Sequence, residues 1–332
     1  IKKIFMTRIL TGITPSGQPH VGNYFGMMKR AIEMSLQSDT DSFLFVSDLH
    51  AFTSHPEPDF FRKNLKTVVL DWLALGLDPD MTTFYRQSDI RAHTELTWLL
   101  LCHTPMGLLE RAHAYKDKKS NGIDANAGLF TYPILMAADI LLYDIEQVPV
   151  GKDQKQHVEM ARDIAQKFNH HFGETFVLPE AVIDENVQTI PGLDGRKMSK
   201  SYKNTIPIFT DKKTLKKSVM SIQTASLELG QAMNPDTCNV FAFHQLFENP
   251  RIKALEEDYR AGAIGFGHSK KELVSLIWDY FASARTKRAT FEDDPVLVKN
   301  ILLHGAKKAH TVAEKTLARA RKNIGLPEKH LV

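Results

Sequence analysis

Residues 8–36 read RILTGITPSGQPHVGNYFGMMKRAIEMSL. The first five, RILTG, are a short β-type run ending in glycine. Residues 24–36 carry apolar side chains at helical spacing. Between them lies a loop shaped by Pro15, Gly17, Pro19 and Gly22. A strand passing through a tight loop into a helix is the opening unit of a parallel α/β sheet. The carboxyl end of such a strand is where these sheets bind ligands. Gly22 lets the backbone approach a flat ligand closely. Asn23 is expected to N-cap the helix, whose free N–H groups and positive dipole end suit an anion. His20 can donate to phosphate. An ordinary Pro/Gly turn carrying a histidine explains the same letters, and no GxGxxG pattern supports a dinucleotide site.

Downstream the alternation continues. SFLFVS (42–47) is a buried strand, and residues 61–76 form a helix closed by Gly76. TTFYRQS (82–88) is another strand, residues 93–104 another helix, and VPVG (148–151) a strand end before a helix over 153–168. This pattern predicts an α/β fold, a parallel sheet with helices on both faces. After about residue 207 only helical periodicity remains, as in RIKALEEDYRAG and VLVKNILLHGAKKAHTVAEKTLARARKN.

The chain has 332 residues, 43% hydrophobic and 24% charged, enough for one large or two ordinary domains. No run approaches the roughly 18 to 20 apolar residues of a membrane span. The N-terminal residues lack the apolar core of a secretory signal. Met6 is expected to be the natural start, with residues 1–5 an extension. Two distant cysteines, Cys102 and Cys238, suggest neither a disulfide framework nor a cysteine zinc site. A reducing cytoplasm fits them. The fourteen histidines show no HExxH pattern, and Asn169-His170-His171 reads as a polar helix end. A net charge of +3 does not announce nucleic-acid binding. Solvated helix faces explain the clusters Lys212, Lys213, Lys216, Lys217 and Lys307, Lys308, Lys315, Arg319, Arg321, Lys322.

Two further stretches carry chemistry. GRKMSKS (195–201) sets Lys197 and Lys200 three apart, after the α/β part and before the helical one. It is either a basic surface loop or a polyphosphate clamp. In GLFTYPILMAADILLY (128–143), Pro133 suits a first helical turn. Tyr132, Met136, Asp139 and Tyr143 then share one face. That face is apolar and aromatic with one carboxylate. A buried Asp139 needs a partner: an arginine, a cap, or a bound indole with its single N–H donor.

PHVGN (19–23) resembles the HIGH motif of class I aminoacyl-tRNA synthetases, and KMSKS (197–201) matches their second motif letter for letter. YPILMAADILLY, VPVGKDQKQHVEMARDIAQKFN and DLHAFT (48–53) resemble the bacterial tryptophan-specific branch, the tryptophanyl-tRNA synthetases. The similarity covers the whole chain and is densest over 8–200. It implies a tryptophan–tRNA ligase: tryptophan is activated with ATP to an adenylate, then transferred to the 3′ end of tRNA(Trp). Asp139 should accept the indole N–H, with Met136 and His50 near the ring, and Tyr132 and Gln154 at the amino and carboxylate groups. Gly22, Asn23, Gly151 and Asp153 should hold adenine and ribose, with the backbone at Ile190 against the adenine. Thr14, Pro15, Ser16, His20 and Lys152 complete the expected ATP site, together with Lys197, Met198, Ser199, Lys200 and Ser201. Lys197, Lys200 and Lys118 are the expected catalytic, phosphate-facing lysines.

The resemblance further implies Mg²⁺ carried on the ATP phosphates without a dedicated protein metal site. It implies a homodimer in the cytoplasm, with neither membrane nor DNA as partner. It divides the chain into a Rossmann-like catalytic domain (1–206, motif loop 195–204), a helical anticodon-binding domain (207–296), and a C-terminal helix (297–332) packing back toward the catalytic domain. The chain departs from many relatives at Leu10, Thr14, His20 and Lys152, and Thr14 puts one polar ATP contact in doubt. A tyrosine-specific relative, a small-molecule ligase of the same superfamily, and a non-catalytic paralogue binding RNA or tryptophan are the competing readings.

Overall fold

A computed structural model describes residues 7–15, 17–54, 57–111, 126–151, 154–183, 189–227 and 230–327. Strand β1 (Thr7–Ile13) leads through the proline–glycine loop into helix α1, which runs as Val21–Asn23, a π-helical segment Tyr24–Met28, and Lys29–Ser35. Then come β2 (Thr40–Val46), α2 (Asp48–Phe52), α3 (Pro58–Ala74), β3 (Thr82–Arg86), α4 (Ala92–Leu101) and α5 (Met106–Glu110). They are followed by α6 (Ala127–Leu141), β4 (Gln147–Val150), α7 (Lys155–Phe172) and β5 (Glu180–Ile183). The strands β1-β2-β3 form one parallel sheet and β4-β5 a second parallel pair. β4 lies beside β1, and Pro149 removes one donor from it.

Side chains on β2 and β3 alternate between two cores, as strand geometry requires. Phe43, Phe45 and Tyr85 pack with α4, α6 and α7. Leu44, Val46 and Phe84 face the other way, against Val68, Val69, Trp72 and Leu73 of α3. A sheet covered on both faces explains why SFLFV is almost continuously apolar. Gly76, at φ +114°, ends α3 in a conformation that L side chains rarely adopt.

Three local expectations change. The first helix begins at Val21 with His20 in the cap position, and Asn23 reaches back to accept the His20 N–H at 3.1 Å. Asn23 thus sits inside the first turn rather than at the cap. Pro133 lies within α6, because Asn126, seven residues earlier, caps that helix by accepting the Leu129 N–H at 2.8 Å. The strand expected over 82–88 stops at Arg86, and Gln87–Asp89 turn as a 3₁₀ segment.

Beyond Asn204 the described elements are helical: α8 (Lys212–Met220), α9 (Asn239–Leu246), α10 (Ile252–Ala261), α11 (Phe266–Tyr280), α12 (Ala282–Asp293) and α13 (Pro295–Asn323). Their core includes Leu215, Val240, Phe243, Leu273 and Ile277, and it takes in Val21, Ile190 and Met198. The helical part therefore packs directly on the two motif loops. α13, started by Asp294 and Pro295, returns to the sheet. Its Ala309, Ala313, Leu317 and Ala320 join the core of α4, α6 and α7.

Candidate active site

A cavity of about 560 Å³ opens at the carboxyl ends of β1 and β2. Leu10, Phe45, Leu129, Met136, Ile140 and Val148 give it apolar walls, while Asp139, His50, Tyr132, Gln154 and Thr14 bring polar atoms. The placement is that of a ligand cleft in an α/β sheet. It is large enough for an aromatic side chain and more.

Asp139 is 2% exposed and does not pair with an arginine. Its Oδ2 meets His50 Nε2 at 2.7 Å. Its Oδ1 accepts from Gln87 Nε2 at 2.7 Å and from His93 Nδ1 at 2.6 Å. Burial alone pushes this carboxyl up, but the charge and hydrogen bond of His50, with those of His93, outweigh it and hold the group at about 2. It is a carboxylate at neutral pH. Asp48, at the start of α2, accepts the Ser88 N–H at 2.9 Å and the Ser88 hydroxyl at 2.5 Å. This ties the helix carrying His50 to the turn carrying Gln87. Tyr132 shares a 2.7 Å hydrogen bond with His157. Tyr143, expected on the ligand face, is buried behind it, and its hydroxyl meets His93 Nε2 at 3.0 Å.

Past Thr14, which lines the cleft, the chain enters the first motif loop, and there the two motif loops touch. The Gly22 N–H points at Met198 Sδ, 3.1 Å away, and a Cβ on Gly22 would come within 3.0 Å of both Met198 and His20. The Val21 N–H donates to the Ile206 carbonyl at 3.0 Å. Lys200 reaches back over the first loop, so that a Cβ on Gly17 would lie 3.3 Å from its Nζ. His20 is pushed down to about 4 by burial, with the Lys200 charge adding to the effect, so it is neutral at pH 7. Partial burial lowers Lys200, and the Asp71 charge pulls the other way.

Asn204 organises the second loop. It donates to Asp194 at 2.7 Å and to the Lys197 carbonyl at 3.1 Å, and accepts the Ser199 N–H at 2.8 Å. Arg196 pairs with Asp194 and lies 4.5 Å over the Tyr202 ring. It braces the loop from outside.

The cleft thus gathers Asp139, Met136, His50, Tyr132, Gln154, Gly151 and Thr14. Thr14 is 3.1 Å from the Ser47 hydroxyl. Pro15 and His20 belong to the first loop, and Gly22 and Asn23 to the helical turn that follows it, where Gly22 meets Met198. Lys197 and Ser201 are exposed, and Ser199 caps the turn at Lys200–Tyr202. The Ile190 carbonyl is engaged by the Met198 N–H at 2.8 Å. Ser16, Lys118, Lys152 and Asp153 lie outside the described residues.

A family model described as tRNA synthetases class I (W and Y) matches residues 5–282. The chain belongs to this synthetase family. A tryptophan–tRNA ligase of Rhodopirellula baltica is 50% identical over 320 residues, covering 96% of this chain and 99% of its own length. One from Fusobacterium nucleatum is 50% identical over 323 residues, covering 97% and 98%. The crystal structure of the Campylobacter jejuni tryptophanyl-tRNA synthetase complexed with ADP and tryptophan matches with a TM-score of 0.92. It is 46% identical, over 96% of this chain and 100% of that one.

Sequence reasoning missed several residues that support the synthetase cleft and its motif loop from behind. Gln87 follows the carboxyl end of β3, a ligand-binding position, but glutamine after a strand carries little signal alone. His93 lies in an apolar helical run, where a satisfied core histidine is the ordinary expectation. Asp194 and Asn204 flank a motif whose lysines hold the eye.

Proposed function

We infer that this synthetase is a tryptophan–tRNA ligase, forming tryptophanyl adenylate and pyrophosphate before charging tRNA(Trp). The half-identical relatives are tryptophan–tRNA ligases. The observation that carries the residue assignment is Asp139, among the described residues the one carboxylate lining the cleft, buried beside Met136 and Ile140. An ionised carboxylate only accepts, and an indole presents one N–H and no acceptor. Asp139 reads that N–H, Met136 and His50 bound the ring, and Tyr132 and Gln154 meet the α-amino and carboxylate groups.

The substrate carboxylate attacks the α-phosphorus of ATP, and the bond to the bridging oxygen breaks as pyrophosphate leaves. In the second step a ribose hydroxyl of the tRNA 3′ end attacks the adenylate carbonyl and AMP departs. The first nucleophile is already an anion, so it needs no general base. The protein contributes alignment and charge stabilisation. Gly22, Asn23, Gly151 and Asp153 take adenine and ribose, with the Ile190 backbone against the adenine. Neutral His20 donates to a phosphate oxygen without adding charge. Lys197 and Lys200 are point charges on flexible stems that meet the leaving pyrophosphate, with Lys118 as a third. Gly17, His20 and Lys200, close together where the motif loops meet, suit anions, so Mg²⁺ would be held mainly by the phosphates themselves.

The helical region from 207 reads the anticodon in this account. The protein acts as a cytoplasmic homodimer, to which Trp98, 66% exposed, and Met106, 61% exposed, offer apolar surface. Among the described residues no helix is long and apolar enough to cross a membrane.

Asp139→Ala tests the central assignment. Tryptophan affinity is expected to fall about 10-fold or more, as for loss of a hydrogen bond to a charged group, while ATP binding survives. Unchanged tryptophan affinity by calorimetry contradicts it.

A further inference from the structure

Gln87 and His93 are both 0% exposed and neither lines the cleft. Both nevertheless spend a donor on the same oxygen, Oδ1 of Asp139. An ionised carboxylate has about four acceptor sites, two on each oxygen. Gln87 and His93 fill both sites on Oδ1. Among the described residues Oδ2 carries only His50, which leaves it one acceptor site. His93 presents Nδ1–H to the carboxylate, so in its neutral form Nε2 accepts from the Tyr143 hydroxyl. The Gln87 amide is oriented without ambiguity, because its oxygen would repel Oδ1. Its Oε1 is buried and meets no partner among the described residues. An open buried acceptor is destabilising, and packing alone gives no reason to keep it.

We propose that Gln87 and His93, the latter held by Tyr143, are positioning residues for tryptophan selection. They saturate Oδ1 and fix the carboxylate plane, so that the one remaining acceptor site on Oδ2 faces the indole N–H. This rests on the reading of Asp139 as the indole acceptor. His50 closes the second site on Oδ2 from the cleft side. Rotation of a loosely held carboxylate would present either oxygen at several angles. That would weaken the N–H bond without changing the shape of the cleft.

The experiment compares ATP–pyrophosphate exchange with tryptophan and with 3-benzothienylalanine, its near-isostere with sulfur in place of N–H. The reading is the ratio of the two kcat/KM values, in which a partial loss of folded enzyme cancels. In Gln87→Met and His93→Phe the ratio is expected to fall about 10-fold, as for loss of one charged hydrogen bond, with the analogue's own kcat/KM nearly unchanged. His93→Asn, whose amide nitrogen takes the place of Nδ1, should restore most of the ratio. Equal losses for both substrates, or a ratio unchanged in both variants, overturn the proposal. Asp139→Ala separates the role of the carboxylate from that of its neighbours. If its ratio collapses while those of Gln87→Met and His93→Phe hold, Asp139 reads the indole and its neighbours do not position it. If its own ratio is unchanged, the reading of Asp139 itself fails, and the positioning role with it.

Discussion

Lys200 and Asp139 show how differently two residues of one site can be read. Lys200 sits in a motif so specific that the letters alone suggest the role proposed for it. The structure adds its place over Gly17, beside neutral His20. Lys200→Met is expected to lower tryptophan-dependent pyrophosphate exchange by roughly 10²–10³, the loss typical of one preorganised charge-stabilising group. Tryptophan affinity should hold. Near-normal exchange in that variant contradicts the clamp. Asp139 was visible as a carboxylate at odds with its apolar stripe. Its partners were not visible, because Gln87, His93 and His50 come from three other elements and only the fold brings them together. Tyr143 shared the helical face by spacing, yet it lies past the end of α6 and turns inward.

At the scale of elements, strand and helix types followed from periodicity, while boundaries followed from caps. Asn126 moved the start of α6 upstream of Pro133, and the His20–Asn23 contact moved the start of α1 to Val21. Contacts between distant elements were not legible. The clearest is the ion pair from Arg288 on α12 to Asp71 on α3, at 2.7 Å. Asp71 is fully buried. Burial pushes its carboxyl up to about 7 against the hydrogen bond and charge of Arg288. Arg288→Ala leaves that carboxyl without its partner. It should destabilise the protein by about 3–5 kcal/mol, as breaking a buried pair does. Urea unfolding measures this, and a shift below about 0.5 kcal/mol, the usual scatter of surface substitutions, would show that the pair holds nothing together.

For the whole molecule, the change from alternating strands and helices to helices alone was plain in the sequence. The intimacy of the two parts was not. Val21 and Met198 belong to the core of the helical part, and α13 returns to lie on the sheet. Gly305 makes that return possible: a Cβ there would fall 1.8 Å from the Phe84 carbonyl oxygen, inside backbone that cannot yield. Gly305→Val should lift α13 from β3 and destabilise the protein by about 1–3 kcal/mol or more. Limited proteolysis should then cut within 297–323, and wild-type resistance there would refute the close approach. The account as a whole stands on one reaction at one cleft. ATP–pyrophosphate exchange by the wild-type protein, tried with each of the twenty amino acids, tests it most directly. Exchange supported by tryptophan alone is the expected result. Exchange driven by tyrosine, or by no amino acid, would contradict it.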